Sequence, residues 1–174
     1  MAMPKILSYK NLSPNIDKTA FIASGAVIAG DVIIQSQSNI WFNCVLRGDV
    51  NPIKVGKCTN IQDGSVVHTS RFDGPTNIGS NITIGHMALI HACTIMDNAF
   101  IGMHSTIMDK AIIEQYGFIA AGSLITPGKV VKSRELWAGS PAKFIRKITE
   151  EEVDFMHDNI ENYINLAKDY SSDK

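Results

Sequence analysis

The chain has no excess of charge of either sign, few cysteines and no long apolar run, and each shortage excludes a class of function. Lys and Arg number 16 against 17 Asp and Glu in 174 residues, so no global field draws nucleic acid or an anionic membrane. The three cysteines, Cys44, Cys58 and Cys93, are an odd number without CxxC spacing. Cys44 and Cys93 fall inside apolar segments and read as buried free thiols of a reducing compartment. No N-terminal run is apolar enough for a signal peptide, and no stretch is long enough to span a bilayer. The expectation is a cytoplasmic protein of one domain, with neither nucleic-acid nor membrane partners.

What the chain does have is a repeat. Aliphatic residues fall six apart at Ile22, Ile28, Ile34, Ile40 and Leu46. A three-residue slip leads to Val55, Ile61 and Val67, and a polar break to Ile78, Ile84 and Ile90. One residue is then lost, and the ladder runs on through Ile95, Ile101, Ile107, Ile113, Ile119 and Ile125. All rungs but Leu46 are β-branched, as strands prefer. Small residues recur four after the rung (Ala26, Ser38, Cys44, Ser65, Ala88, Ala99, Ser105, Ala111). Glycine often follows it directly (Gly56, Gly79, Gly85, Gly102), which reads as the residue of a sharp corner. A period of six is neither the helical 3.6 nor a plain alternation. Short strands separated by corners, three per coil, satisfy it, and predict an all-β repeat fold, a parallel β-helix of triangular section with about six coils ~4.8 Å apart.

Residues 1–20, interrupted by Pro4 and Pro14, read as a lead-in covering one end, so that 1–147 form the β-helix. The ladder is expected to end near Thr126, with Pro127-Gly128 and Pro141 marking irregular backbone. Residues 148–174 belong to a C-terminal helix packed on the same domain. Thr149 to Glu152 is a capping box, and Val153, Met156, Ile160, Tyr163, Ala167 and Tyr170 form one apolar helical face. Ser171 to Lys174 read as a frayed tail.

Three of the five histidines, His68, His86 and His91, lie inside the ladder. If the slip after Leu46 and about five residues of the break from Thr69 to Pro75 bulge outward, Arg47, His68 and His91 stack at one corner, and Gln62 and His86 lie near another. If the break instead fills a whole strand, His68 aligns with His86. On the first count two corners of a coil are roughly 15–20 Å apart, too far for one chain to bring His86 to the other two at metal-bond lengths of ~2.0–2.1 Å. A second copy can, and such a heterologous contact closes into a ring of three. Three histidines with a fourth position left to water form the ligand set of a catalytic zinc site. His104 and His157 lie outside the pattern. Arg47 and Asp49, in RGD, suit an interface ion pair.

The stretches SNIWFNCVLRGDVNPIKVG, TNIQDGSVVH, TIGHMALIHACTI, IGMHSTIMD and LWAGSPAK, spread over most of residues 20–145, resemble the γ-class carbonic anhydrases and their bacterial homologues. The resemblance implies a left-handed β-helix, against the usual right-handed crossover preference. It also implies a homotrimer with metal sites between subunits and reversible hydration of carbon dioxide to bicarbonate. Carried over, His68, His86 and His91 are the ligands of Zn2+, with Fe2+ or Co2+ also accepted by three imidazoles. Gln62 bonds the metal-bound water, and Arg47 and Asp63 pair across the interface, with Asp49 and Asn60 in their network. Tyr163 and Asn165 match active-site positions, beside a plain packing role for Tyr163. The break, TSRFDGPT, lacks the prototype's relay glutamate, which implies modest turnover. A hexapeptide-repeat acyltransferase and a metal-stabilised trimeric scaffold without turnover are the competing readings.

Overall fold

The computed structural model describes residues 3–172. Its body is a left-handed parallel β-helix of about seven turns with one C-terminal helix. Each turn places one short strand on each of three faces. The first face runs from Phe21–Ile22 through Asn39–Ile40, Asn60–Ile61, Thr83–Ile84, Phe100–Ile101 and Phe118–Ile119 to Glu135–Gly139. The second and third faces form one continuous sheet, because Val27–Ile34 and Val45–Val55 run round the corner between them.

The ladder is the core. Every rung from Ile28 to Ile125 is at most 3% exposed, and Ile22 packs against the same cluster. Burying an isoleucine is worth about 1.5–3 kcal/mol, so this column is the main stabilising term. The small residues four after the rung are buried as well, and the serines among them bond to neighbouring coils. Ser65 Oγ donates to Gly85 O at 3.1 Å and Ser105 Oγ to Ala120 O at 3.0 Å.

Four details depart from the sequence reading. There are about seven turns rather than six. The lead-in supplies coil strands, Lys5–Leu7 and Asn15–Ile16, both pairing in parallel with Val27–Ile34. The ladder also outruns Thr126: Val131, six beyond Ile125, is fully buried, and Val130–Val131 and Glu135–Gly139 continue the faces. Pro127 and Gly128 merely occupy a corner, which needs no strand hydrogen bond. Finally, the left-handed backbone falls three residues before a rung, at Gln37, Asn43, Cys58, Asn81, Met87 and Asn98. Glycine directly after a rung answers a different need, the close approach of stacked corners: a Cβ on Gly56 would lie 2.4 Å from the carbonyl carbon of Gly79.

The helix, Glu150–Ser172, lies along the first face. Its capping box closes as read: Glu152 N donates to Thr149 Oγ1 at 3.2 Å and Thr149 N to Glu152 at 2.8 Å. Val153 and Met156 pack near Phe100 and Phe118, and Ala167 and Tyr163 near Trp41 and Phe21. Ser171 and Ser172 extend the helix, while the expected fraying of Asp173 and Lys174 lies outside the described residues.

Candidate metal centre

The register that builds the second face also builds a column of side chains at its end. Leu46, Val67 and Ile90 are aligned partners, so Arg47, His68 and His91 follow one above another. The break between His68 and Thr76 leaves the coil as an outward loop, its neck closed where Ser70 and Gly74 exchange backbone hydrogen bonds of 3.1 and 3.2 Å. The arrangement with His68 beside His86 is thereby excluded. His86 lies one corner earlier, two residues after Ile84, which pairs with Ile61.

Each histidine gives one ring nitrogen to a carboxylate. His68 Nε2 lies 3.1 Å from Asp49 Oδ1, His91 Nδ1 lies 3.1 Å from both oxygens of Asp109, and His86 Nδ1 lies 2.9 Å from Asp63 Oδ2. An ionised carboxylate only accepts, so the imidazole donates there, and in a neutral ring the other nitrogen carries the lone pair. His68 Nδ1 and His91 Nε2, the two nitrogens left over, face each other at 3.2 Å. If both rings are neutral, two lone pairs meet there, an arrangement that a shared proton or a metal cation relieves. Ligands ~2.05 Å from a tetrahedral metal stand ~3.3 Å apart, so the pair has the bite of a metal site. Carboxylates behind metal-binding imidazoles serve to fix ring and tautomer in this way. Burial alone raises the pKa of Asp49, but hydrogen bonds from Arg47 and His68 hold it below the usual carboxylate range.

Two ligands do not hold a catalytic metal, and among the described residues no group of three or more His, Cys, Asp or Glu converges within the chain. His86 keeps a free Nε2 on a half-exposed ring at its own corner. Beside it Gln62, 5% exposed, donates through Nε2 to Asn60 Oδ1 at 3.0 Å, and Asn60 Nδ2 donates to Thr83 Oγ1 at 2.9 Å. Asn159 of the helix donates to the same hydroxyl at 2.8 Å. His86, Gln62, Thr83 and Asn159 line a groove of about 490 Å³ together with Phe100, Met103, Phe118, Phe155 and Tyr163, with Asn60 buried behind them.

The remaining expected residues are dispersed. Arg47 is bonded within the chain to Asp49 at 2.5 Å, and Asp63 to His86, so the two do not meet inside one chain. Asn60 belongs to the Gln62–Thr83 chain rather than to Arg47. Tyr163 both packs on Trp41, with ring centroids 5.5 Å apart, and lines the groove; burial, then Asp63, raises its pKa. Asn165 points away on the exposed side of the helix, accepting from Lys168 at 3.3 Å. Asn165, matched to an active-site position by resemblance, does not line the groove, whereas Asn159 does. Asp109, in the quoted stretch IGMHSTIMD, also went unread; its position two after the rung Ile107, one coil beyond His91, was the available signal.

The repeat defines a hexapeptide-repeat β-helix, and the corner histidines with their carboxylates make a candidate metal site on it. Comparison with known proteins narrows the class. No protein-family model matches the chain. The mitochondrial gamma carbonic anhydrase 2 of Arabidopsis thaliana is 48% identical over 166 residues, 92% of this chain and 60% of that protein. The carbonic anhydrase of Geobacillus kaustophilus is 41% identical, with 96% of this chain and 91% of that protein covered. A solved hexapeptide transferase family protein from Anaplasma phagocytophilum superposes with a TM-score of 0.92 at 53% identity, over 95% of this chain and 98% of that one. The chain belongs to the γ-carbonic anhydrase family, spanning about 60% of the length of the Arabidopsis relative.

Proposed function

We propose that this chain forms a homotrimer that hydrates carbon dioxide reversibly at Zn2+ sites shared between subunits. The observation that carries the reading is the pair of bare imidazole nitrogens 3.2 Å apart, each fixed by a carboxylate on its far side. His68 Nδ1 and His91 Nε2 of one subunit and His86 Nε2 of the next would hold the metal. When bound, the metal acidifies a water to a pKa near 7 and so supplies hydroxide at neutral pH. The donor set also accepts Fe2+ or Co2+.

The chain's own residues provide the rest. Gln62, anchored through Nε2 to Asn60, leaves its amide oxygen as an acceptor in the groove beside His86, for a proton of water or of the bicarbonate hydroxyl. Phe100 and Phe118 give carbon dioxide an apolar approach. Arg47 and Asp63, left half-exposed, remain placed for a pair between subunits. The buried thiols of Cys44 and Cys93, pushed up to about 12 by desolvation, suit the reducing cytoplasm. Proton export is the weak step. Lys110 bonds Asp73, the loop's one carboxylate, at 2.5 Å and holds its pKa below the usual range, so Asp73 relays poorly near neutrality. That engagement also favours the second reading, a metal-stabilised scaffold with little turnover.

Metal analysis and a carbon dioxide hydration assay on the same preparation test the proposal. The expected result is about one metal per chain, with hydration lost on chelation and regained on reloading. Metal-independent transfer from acetyl-CoA, indifferent to His91→Ala, would replace it with the acyltransferase reading.

A further inference from the structure

We infer that Phe72 of one subunit seats over the groove beside His86 of the next, so that each metal site is closed by a ring from the neighbouring chain. The inference rests on the shared site proposed above and adds a closing residue to it. Phe72 is 90% exposed at the tip of the loop that leaves the coil after His68. The loop is braced. Besides the two backbone bonds between Ser70 and Gly74, Ser70 Oγ accepts from the amides of Phe72 and Asp73 at 3.3 and 3.1 Å. Asn51 Nδ2 donates to Ser70 O at 2.7 Å, and Lys110 clasps Asp73. Several bonds therefore hold a large aromatic ring in water, where it gains nothing unless something covers it.

The groove offers a matching surface. Two of its lining residues, Met103 and Phe155, are 54% and 51% exposed. Met103 lies one coil from His86, since His104 N donates to His86 O at 2.8 Å, which puts the two residues on the order of 5 Å apart. Phe72 is four residues from His68, at most about 13 Å. Loop and groove occupy different corners of one chain, so neither serves the other there. Joining His86 of one chain to the His68–His91 corner of another would bring that loop within reach of that groove. The charges agree. Arg71, exposed beside Phe72, makes no ion pair among the described residues. Glu151 and Asp158 flank Phe155 one turn to either side on the exposed face of the helix, and are likewise unpaired among the described residues. A basic aromatic tip meets an acid-rimmed apolar groove, while the stretch lined by Gln62 and Thr83 stays open to a small substrate.

Photo-crosslinking decides the matter. Phe72→p-benzoylphenylalanine in the full chain should give, on irradiation, a two-chain product whose peptide maps show attachment at Met103 or Phe155. In parallel, Phe72→Ala should raise the subunit dissociation constant at least tenfold, as loss of a buried aromatic contact does. His86→Ala and His68→Ala subunits are mixed in a companion experiment that reads only the shared metal site. Metal sites recovered there, with the cross-link absent, within one chain or elsewhere on a neighbour, overturn the seating of Phe72 alone. No recovery and no two-chain product overturns the shared site and this inference together.

Discussion

Asp109 holds the imidazole of His91 with both oxygens at 3.1 Å from Nδ1, and removing it should separate metal affinity from fold stability. In Asp109→Ala the ring loses its anchor and is free to carry its proton on Nε2. That proton then fills the 3.2 Å gap to His68 Nδ1. The metal-free protein thus loses one hydrogen bond and gains another, each worth about 1 kcal/mol, so its stability should change by less than about 1 kcal/mol. The metal must now displace that proton and reorient the ring. Loss of such a carboxylate costs about 10–100-fold in affinity, or ~1.4–2.7 kcal/mol. Asp109→Asn retains an acceptor for Nδ1–H and should fall between wild type and Ala. Zinc competition against a chromophoric chelator at pH 7.5, with urea unfolding of the metal-free protein, reads both quantities. Zinc affinity within twofold of wild type in both variants, with metal-free stability down by about 3 kcal/mol, would refute the reasoning: Asp109 would then be a structural carboxylate, unconnected with the metal.

Other consequences can be measured separately. Gly122→Ala meets open space but a φ of +70°, whereas Gly56→Ala would drive a Cβ to 2.4 Å from backbone. The first should cost about 1 kcal/mol and the second several, read as unfolding midpoints; equal costs would contradict the close-approach account of the corners. Arg146, then Thr149, lowers the pKa of Glu152 to about 2. Its contribution is therefore present above the unfolded value near 4.3 and lost as pH falls towards 2. Glu152→Gln should accordingly destabilise by about 1–2 kcal/mol at pH 7, and its thermal midpoint should converge on wild type in acid. With Asp73 tied to Lys110, a proton leaving a group of pKa near 7 for plain water limits turnover to roughly 10⁴ per second. Stopped-flow hydration should stay below that limit and rise with imidazole buffer; faster, buffer-insensitive turnover would reveal another relay.

The body of the fold was legible because a β-helix writes each coil into the sequence as a buried β-branched rung. The ends were less so. Strands such as Lys5–Leu7 have a coil on one side only, and Ile6 is about half exposed, so the pattern fades where burial does. Pro127-Gly128 read as a stop because those residue types break strands, yet a corner tolerates both. Many left-handed corners carry Asn or Gly, such as Asn43, Asn81, Gly25 and Gly64, which favour the conformation, but others carry Gln37, Cys58 or Met87, where stacking of adjacent coils imposes what sequence propensity would resist. At the site, spacing left two alignments open, and the matching corner positions of His68 and His91 favoured the column that the register shows. Spacing could not place Asp109, whose meaning depends on which coil lies below, or Asn159, which bonds Thr83 across 76 residues of chain. Asn165 was favoured by a motif match, and the helical rotation that faces it to solvent is set by burial of Met156 and Ile160.

The central claim is that the metal site belongs to two chains, and subunit mixing tests it most directly. His86→Ala and His68→Ala proteins, each unable to assemble the three-histidine site, are combined in equal amounts and allowed to exchange. If His86 comes from a different subunit than His68 and His91, random trimers recover about one quarter of the wild-type number of sites, because each mixed trimer has one interface with all three imidazoles. Zinc content and hydration rate should both reach that fraction. Exchange proven by mass spectrometry, with neither metal nor activity recovered, would contradict the shared site.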